Sequence, residues 1–371
     1  GIYVPEGATV NMHGSPAVFN NTSKVNFMDN VFLPGKSLIN INGNINAGTT
    51  TSFVGVTLDK GMGVFTKYVS GTVAESRFSA DNDIANTIRK NGNNVEIAEN
   101  TVLTTAEKWQ KTIEKSQANQ GYSVRFDLLH NWTATNGSFG TGSAFKGGSL
   151  YVPADASITL NLINGSTIDR GLADKAAVEN GGVMWVDGSL LVKGDGRLTG
   201  GNTTGGGGGI YSLGTLTLQG IDISGNKAAY GGGVNIGAAA KGAVTLQNVT
   251  ITGNHANDYG GGFASAQHIY IAGKVVVTGN TAGDKNVADN FFLGVNKVNA
   301  AFVLKGAIDG SKIGVNYTDC KEITNGFATY HKGGLEDILE FFSADYDDCV
   351  IGIVGGEGYI GTKTEEPEGA F

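Results

Sequence analysis

The residues in this chain best suited to breaking a bond are Asp169-Arg170, where the carboxylate could act as a base and the guanidinium as a clamp on a sugar. Polysaccharide lyases need a cation, usually Ca²⁺, to acidify the proton beside a uronate, and an Arg or Lys to remove it. Hydrolases need two or three carboxylates at close range. The pair follows Asn164-Gly165-Ser166-Thr167-Ile168, and a corner ion pair is its plainer reading. Asp345, Asp347 and Asp348 around Tyr346 could hold Ca²⁺ with backbone carbonyls. The segment lacks the alternation and terminal Glu of an EF-hand, which favours a solvated acidic turn. The histidines His13, His130, His255, His268 and His331 have no metal-ligand spacing, and Gly205 to Gly209 has no following Lys-Ser/Thr, so it reads as a coil corner. Cys320 and Cys349 could form one disulfide but no framework of them. No cofactor is implied.

The remaining chemistry is that of binding. Tyr211, Tyr230, Tyr259 and Tyr270, with Trp132 and Trp185, are candidates to stack on sugar rings or anchor a protein. Tyr230 and Tyr259 each stand before a glycine triplet, which places them at one corner of successive coils, about 5 Å apart. Such a pair either binds or closes the corner.

These side chains act only where a scaffold lines them up. Gly contributes 59 of 371 residues and charged residues 16%, while 40% are hydrophobic, so a large core can be buried and disorder is excluded. The net charge of −8 argues against nucleic acid or an anionic membrane as partner. No apolar run reaches the ~18 residues of a membrane span. The start Gly1-Ile2-Tyr3-Val4-Pro5 and the acidic end Glu365-Glu366-Pro367-Glu368 read as those of a piece of a longer polypeptide, without signal peptide or anchor.

One pattern recurs four times between 181 and 283: a glycine cluster before an aliphatic or aromatic residue, then a Gly-Asn corner at Asn202, Asn226, Asn254 and Asn280. Within a repeat, apolar and polar residues alternate, as in Thr215-Leu216-Thr217-Leu218-Gln219, which predicts short strands with one buried face. About three fit per repeat. That suits a coil of a right-handed parallel β-helix better than an antiparallel sandwich, which would want Asn-Gly or Asp-Gly hairpins. The predicted interior includes Leu216, Leu218, Ile221, Ile223, Leu246, Val249 and Ile251. Upstream, a helix over 104–120 carries Trp109 and Ile113 on one stripe. Thr104 and Glu107 form its capping box, and its expected role is to cover the first coil.

A longer repeat links the two ends of the chain. Met28 to Leu33 matches Ala288 to Leu293, Val54-Gly55-Val56 matches Ile313-Gly314-Val315, Phe65 to Tyr68 matches Phe327 to Tyr330, and Phe78 to Asp81 matches Phe342 to Asp345. The expected organisation is the C-terminal part of one module over 1–100 and a complete module over 101–362. The latter has coils over 122–312 and a C-terminal segment over 313–362, and an acidic linker follows over 363–371.

The glycine clusters, the Ile-Ser-Gly-Asn and Ile-Thr-Gly-Asn corners, the Asp-Asn-Val-Phe-Leu segment and the later Val-Gly-Val resemble repeat regions of large surface proteins from Gram-positive gut bacteria. They resemble more loosely the repeats of chlamydial polymorphic outer-membrane proteins. The likeness implies a pectin-lyase-like β-helix, all-β, on the bacterial cell surface and extracellular. It implies adhesion or a stalk, with a host glycan, a mucin or a secreted host protein such as an immunoglobulin as partner, beside neighbouring modules. The Asn-Thr-Asp and Gly-His-Gly segments expected in polygalacturonase-like hydrolases of that fold are missing, and the coil acids Asp187, Asp195, Asp222 and Asp258 fall at different phases. Binding without catalysis is therefore expected; a lyase or hydrolase is the alternative.

Overall fold

The computed structural model describes residues 2–18, 31–46, 54–58, 63–74, 77–80, 86–91, 93–99, 102–118, 123–172, 176, 180–294, 300–317 and 321–363. The chain divides into two compact units, Gly1–Thr101 and Val102–Phe371.

The second unit is a β-solenoid of parallel, stacked coils. Its first face is one sheet of eight strands, from Ser123–Leu128 to Thr324–Asn325. A second face runs from Trp132–Thr133 to Val276–Thr278 and a third from Ser149–Val152 to Phe291–Leu293. The strand Lys312–Tyr317 pairs with the last strand of both. Alternation sets the register: Phe126, Leu160, Val192, Leu218, Leu246, Ile271 and Leu304 lie opposite one another in successive coils and are all buried. A shift of one residue would expose the entire row. All seven residues predicted for the interior are buried, and the parallel pairing excludes the sandwich. Leu218→Ala should cost about 2–5 kcal/mol in urea unfolding, because the filled interior cannot collapse around the lost atoms.

The helix is Ala106–Ala118, and Thr105 rather than Thr104 caps it, its hydroxyl accepting the Lys108 N–H at 3.1 Å. Trp109 and Ile113 are buried. The Trp109 ring stacks on Phe126 of the first strand at 4.8 Å, and its indole N–H reaches the Ala144 carbonyl at 3.0 Å.

The first unit has the same kind of parallel faces. Val31–Leu33, Val54–Leu58 and Phe78–Ala80 form one, Thr9–Gly14, Leu38–Ile45 and Thr66–Ser70 another, and the hairpin Asn86–Asn91 with Asn94–Glu99 follows. Its pairing repeats that of the second unit. Val31 pairs with Val56 and Val54 with Phe78, as Phe291 pairs with Val315 and Ile313 with Phe342. One sequence match is displaced. Thr66 takes the Val95 N–H on its hydroxyl at 2.6 Å, and Thr324 takes that of Gly358 at 2.7 Å, so Phe65 corresponds to Ile323 and not to Phe327. Asp29 lies outside the described residues.

Candidate functional site

The corners hold the solenoid's polar interior. Gly225, Gly253 and Gly279 have φ of 68°, 65° and 66°, left-handed values that glycine adopts without strain. The asparagines that follow are buried and form a ladder. Asn254 Oδ1 accepts both the backbone and side-chain N–H of Asn226 at 3.0 Å, and Asn280 Oδ1 does the same for Asn254. Asn202 is one residue out of phase: the Gly201 N–H meets Asn226 Oδ1 at 3.0 Å, so Gly201 holds the corner. At the other end Asn280 donates to Asn290, and Asn290 donates to Asp345 from its backbone at 2.6 Å and its amide at 2.7 Å. A carboxylate can only accept, so it terminates the chain of amides without leaving a donor unmet.

Asp345 is thus turned inward while Asp347 and Asp348 are exposed, and the three do not converge. Among the described residues no group of three or more His, Cys, Asp or Glu is placed to hold a metal. The proposed disulfide lies outside the described residues at Cys320; the Cys349 thiol is 3.7 Å from Asp348.

Asp169 and Arg170 do not pair with each other. Asp169 caps its own turn by accepting the Gly171 N–H at 2.8 Å. Arg170 is 1% exposed and donates to the carbonyls of Gly137, Gly147 and Gly182 and to the Ser149 hydroxyl, joining loops that the sequence leaves far apart. Burial lowers its pKa to about 10. The other coil acids are also engaged singly: Asp195 with the Gly165 N–H at 3.0 Å, and Asp222 with Arg197 at 3.1 Å.

The third face brings together a group that sequence reasoning caught only in part. Tyr151, Trp185 and Tyr211 stand opposite one another on successive coils. Asp187 accepts the Tyr151 hydroxyl and the Trp185 indole N–H, both at 2.8 Å, and lies 3.6 Å from Lys146 Nζ, which sits 3.5 Å above the Trp185 ring. Burial and then Asp187 push Tyr151 up to about 12. Tyr211 meets Trp185 edge-on at 5.0 Å and is pushed up chiefly by burial. A groove of about 460 Å³ adjoins them, lined by Asp155, Ser157, Asp187, Ser189, Thr215 and Lys241 among others, and Lys241 also lines a second hollow of about 430 Å³ with His268 and Tyr270. Tyr151 and Lys146 escaped notice because their glycine cluster precedes the first recognised repeat. The alignment of Leu150-Tyr151-Val152 with Met184-Trp185-Val186 was the available signal.

The other aromatic candidates mostly serve packing. Tyr230 and Tyr259 lie at one corner with ring centroids 4.9 Å apart and tilted planes, and the column continues to Phe292 at 4.6 Å; its outer member Tyr230 is 38% exposed, Tyr259 partly buried and Phe292 buried. Trp132 rests on Phe139 at 4.8 Å, and Lys305 covers the Tyr270 ring at 4.7 Å.

One titratable group stands apart. Asp289 is fully buried, and neither carboxylate oxygen has a hydrogen-bond partner. The Gly260 N–H and the Asn316 amide are close by, but neither meets hydrogen-bond geometry, and desolvation pushes the carboxyl up to about 6. Since the folded value lies above the unfolded one, protonation favours the fold. In a chelating buffer this contribution should be complete below pH ~4 and lost as pH rises through about 6. Melting temperature against pH should show that loss, and Asp289→Asn should remove it.

Comparison with protein-family models, with curated proteins and with solved structures finds no match to this chain. The Asp187 oxygens accept two hydrogen bonds and pair with one ammonium, and the third face presents rings beside them.

Proposed function

We propose that the chain is an extracellular repeat module of a bacterial surface protein that binds a ligand, or extends the protein as a rigid stalk, without cutting polysaccharide. The observation that carries this reading is the in-register row Tyr151–Trp185–Tyr211 beside an open groove, on a solenoid whose coil carboxylates Asp169, Asp187, Asp195 and Asp222 are each engaged separately. Stacked coils fix such a row on a stiff backbone, and tandem modules multiply weak contacts. The resemblance to surface proteins of gut bacteria supports an adhesive role, with a glycan, a mucin or a secreted host protein as ligand. The net charge of −8 supports binding of low salt dependence, since there is no basic surplus to release counterions.

The test is a screen of the purified chain against glycans, mucins and secreted host proteins, with a parallel assay for reducing ends and unsaturated products. The expected result is binding without turnover, weakened about 5–30-fold by Tyr211→Ala together with Lys146→Ala, measured at a temperature where the variant is fully folded. Turnover of a polysaccharide that is lost on replacing Asp169 or another coil carboxylate would overturn the proposal. Binding untouched by the double variant would move the site away from the third face.

A further inference from the structure

Asp289 raises a problem that the solenoid itself does not solve. Its carboxylate is 0% exposed and both oxygens lack partners, and among the described residues no Lys, Arg or His pairs with it. The nearby carboxylate of Asp345 adds a second negative charge, and its own oxygens are committed to the backbone and amide of Asn290. An isolated buried carboxylate is costly unless a counter-charge reaches it. Asparagine would fit the same space without charge, and the chain places asparagine at the very next position, yet it keeps an acid at 289. The sequence does so twice: Asp29-Asn30 and Asp81 in the first copy match Asp289-Asn290 and Asp345, although residues 29, 30 and 81 lie outside the described set. These are the acidic positions that the two tails share.

The surroundings indicate what fills the gap. Asn316, 2% exposed, and Tyr346 lie beside Asp289 together with the Gly260 N–H, so two oxygen-bearing side chains are within reach of its carboxylate. Tyr346 is 38% exposed and gives a route from solvent. Oxygen-only donor sets of irregular geometry suit Ca²⁺, which accepts carboxylate, amide and hydroxyl oxygens together. We propose that Asp289, with the Asn316 amide oxygen and the Tyr346 hydroxyl, holds a calcium ion where the asparagine ladder ends. Asp345 terminates the ladder and adds its charge to the site without giving up its bonds to Asn290. The ion fixes the turn before Phe291–Leu293 against the segment after Phe342–Ala344, closing the last coils of the second unit.

The experiment is thermal unfolding of the full chain at neutral pH in EGTA, in about 10 mM calcium and in about 10 mM magnesium, with calcium titration calorimetry alongside. With few carboxylates the site is weak, near millimolar, and the expected calcium shift in melting temperature is about 3–10 °C, with little from magnesium. Asp289→Asn should be as stable in EGTA as the wild type or more so, and its second unit should not respond to calcium. An unshifted wild type overturns the proposal, as does an equal calcium shift in wild type and variant. Calorimetry on the wild type alone decides the matter if the variant does not fold.

Discussion

Gly232→Ala should prevent the second unit from folding, or destabilise it by more than about 4 kcal/mol, whereas Gly253→Ala should cost only about 1–2 kcal/mol. Both glycines belong to the recurrent corners, and composition does not distinguish them. At Gly253 the cost is conformational. Its φ is 65°, but a Cβ there would meet nothing within 4 Å. At Gly232 the cost is steric, since a Cβ would lie 2.3 Å from the His255 carbonyl oxygen and 2.4 Å from that of Gly261. Those are backbone atoms of the next coil, held by hydrogen bonds such as Gly232 N–H to Gly260 at 3.0 Å, and they cannot move without unstacking the solenoid. The same exclusion runs along the column: a Cβ on Gly182 would sit 2.1 Å from the Gly208 oxygen, one on Gly208 2.4 Å from that of Gly232, and one on Gly261 2.2 Å from that of Thr281. Urea unfolding of the two variants checks the contrast. Equal losses would mean that close approach of the coils is not what demands glycine.

That distinction marks how far the sequence could be read. Period-two alternation makes the buried rows visible, because each strand must present one face to the interior whatever its neighbours are. The corner Gly-Asn is visible for a similar reason: positive φ and an amide side chain are local demands. What the amide does is not local. The ladder joins residues 25 to 28 apart through most of its length, then passes to Asn290 and ends on Asp345, which is 55 residues further on and was read as part of a solvated turn. Arg170 was misread for the same reason. Charge beside charge suggests an ion pair, and only the closure of three loops around the guanidinium shows that it serves as a hub for carbonyls. The match of Phe65 to Phe327 failed because an aromatic identity outweighed Thr66 and Thr324, the pair that makes the same hydrogen bond in both copies. On the third face, Trp185 and Tyr211 stood out singly. Their union with Tyr151, Lys146 and Asp187 depends on register across three coils, which no single repeat displays.

Asn254→Asp should be more damaging at neutral pH than Asn254→Ala, although it is the more conservative change in shape. The Asn254 side chain accepts from Asn226 twice and donates to the Ile223 carbonyl at 2.9 Å, the Thr252 carbonyl at 3.2 Å and Asn280 Oδ1 at 3.0 Å. Alanine removes the group and leaves the Asn226 backbone N–H unmet, at about 1–3 kcal/mol for a buried orphan, while the Asn226 amide keeps the Leu198 and Ser224 carbonyls. Aspartate keeps both bonds from Asn226 but turns the donor side into a carboxylate oxygen facing three acceptors in a buried corner. That arrangement is repulsive as well as unsatisfied, and a loss exceeding about 4 kcal/mol is expected. The acidity dependence separates the two causes. An aspartate placed there has its folded pKa raised above the unfolded value of about 4, so the variant regains stability as pH falls through that raised value, when the protonated acid can donate once more. The alanine variant has no such group, and its deficit relative to wild type should be flat with pH. Denaturant unfolding of both variants between pH ~4 and ~8 gives the comparison. A pH-independent loss in Asn254→Asp would show that the direction of the amide ladder is not what stabilises the corner.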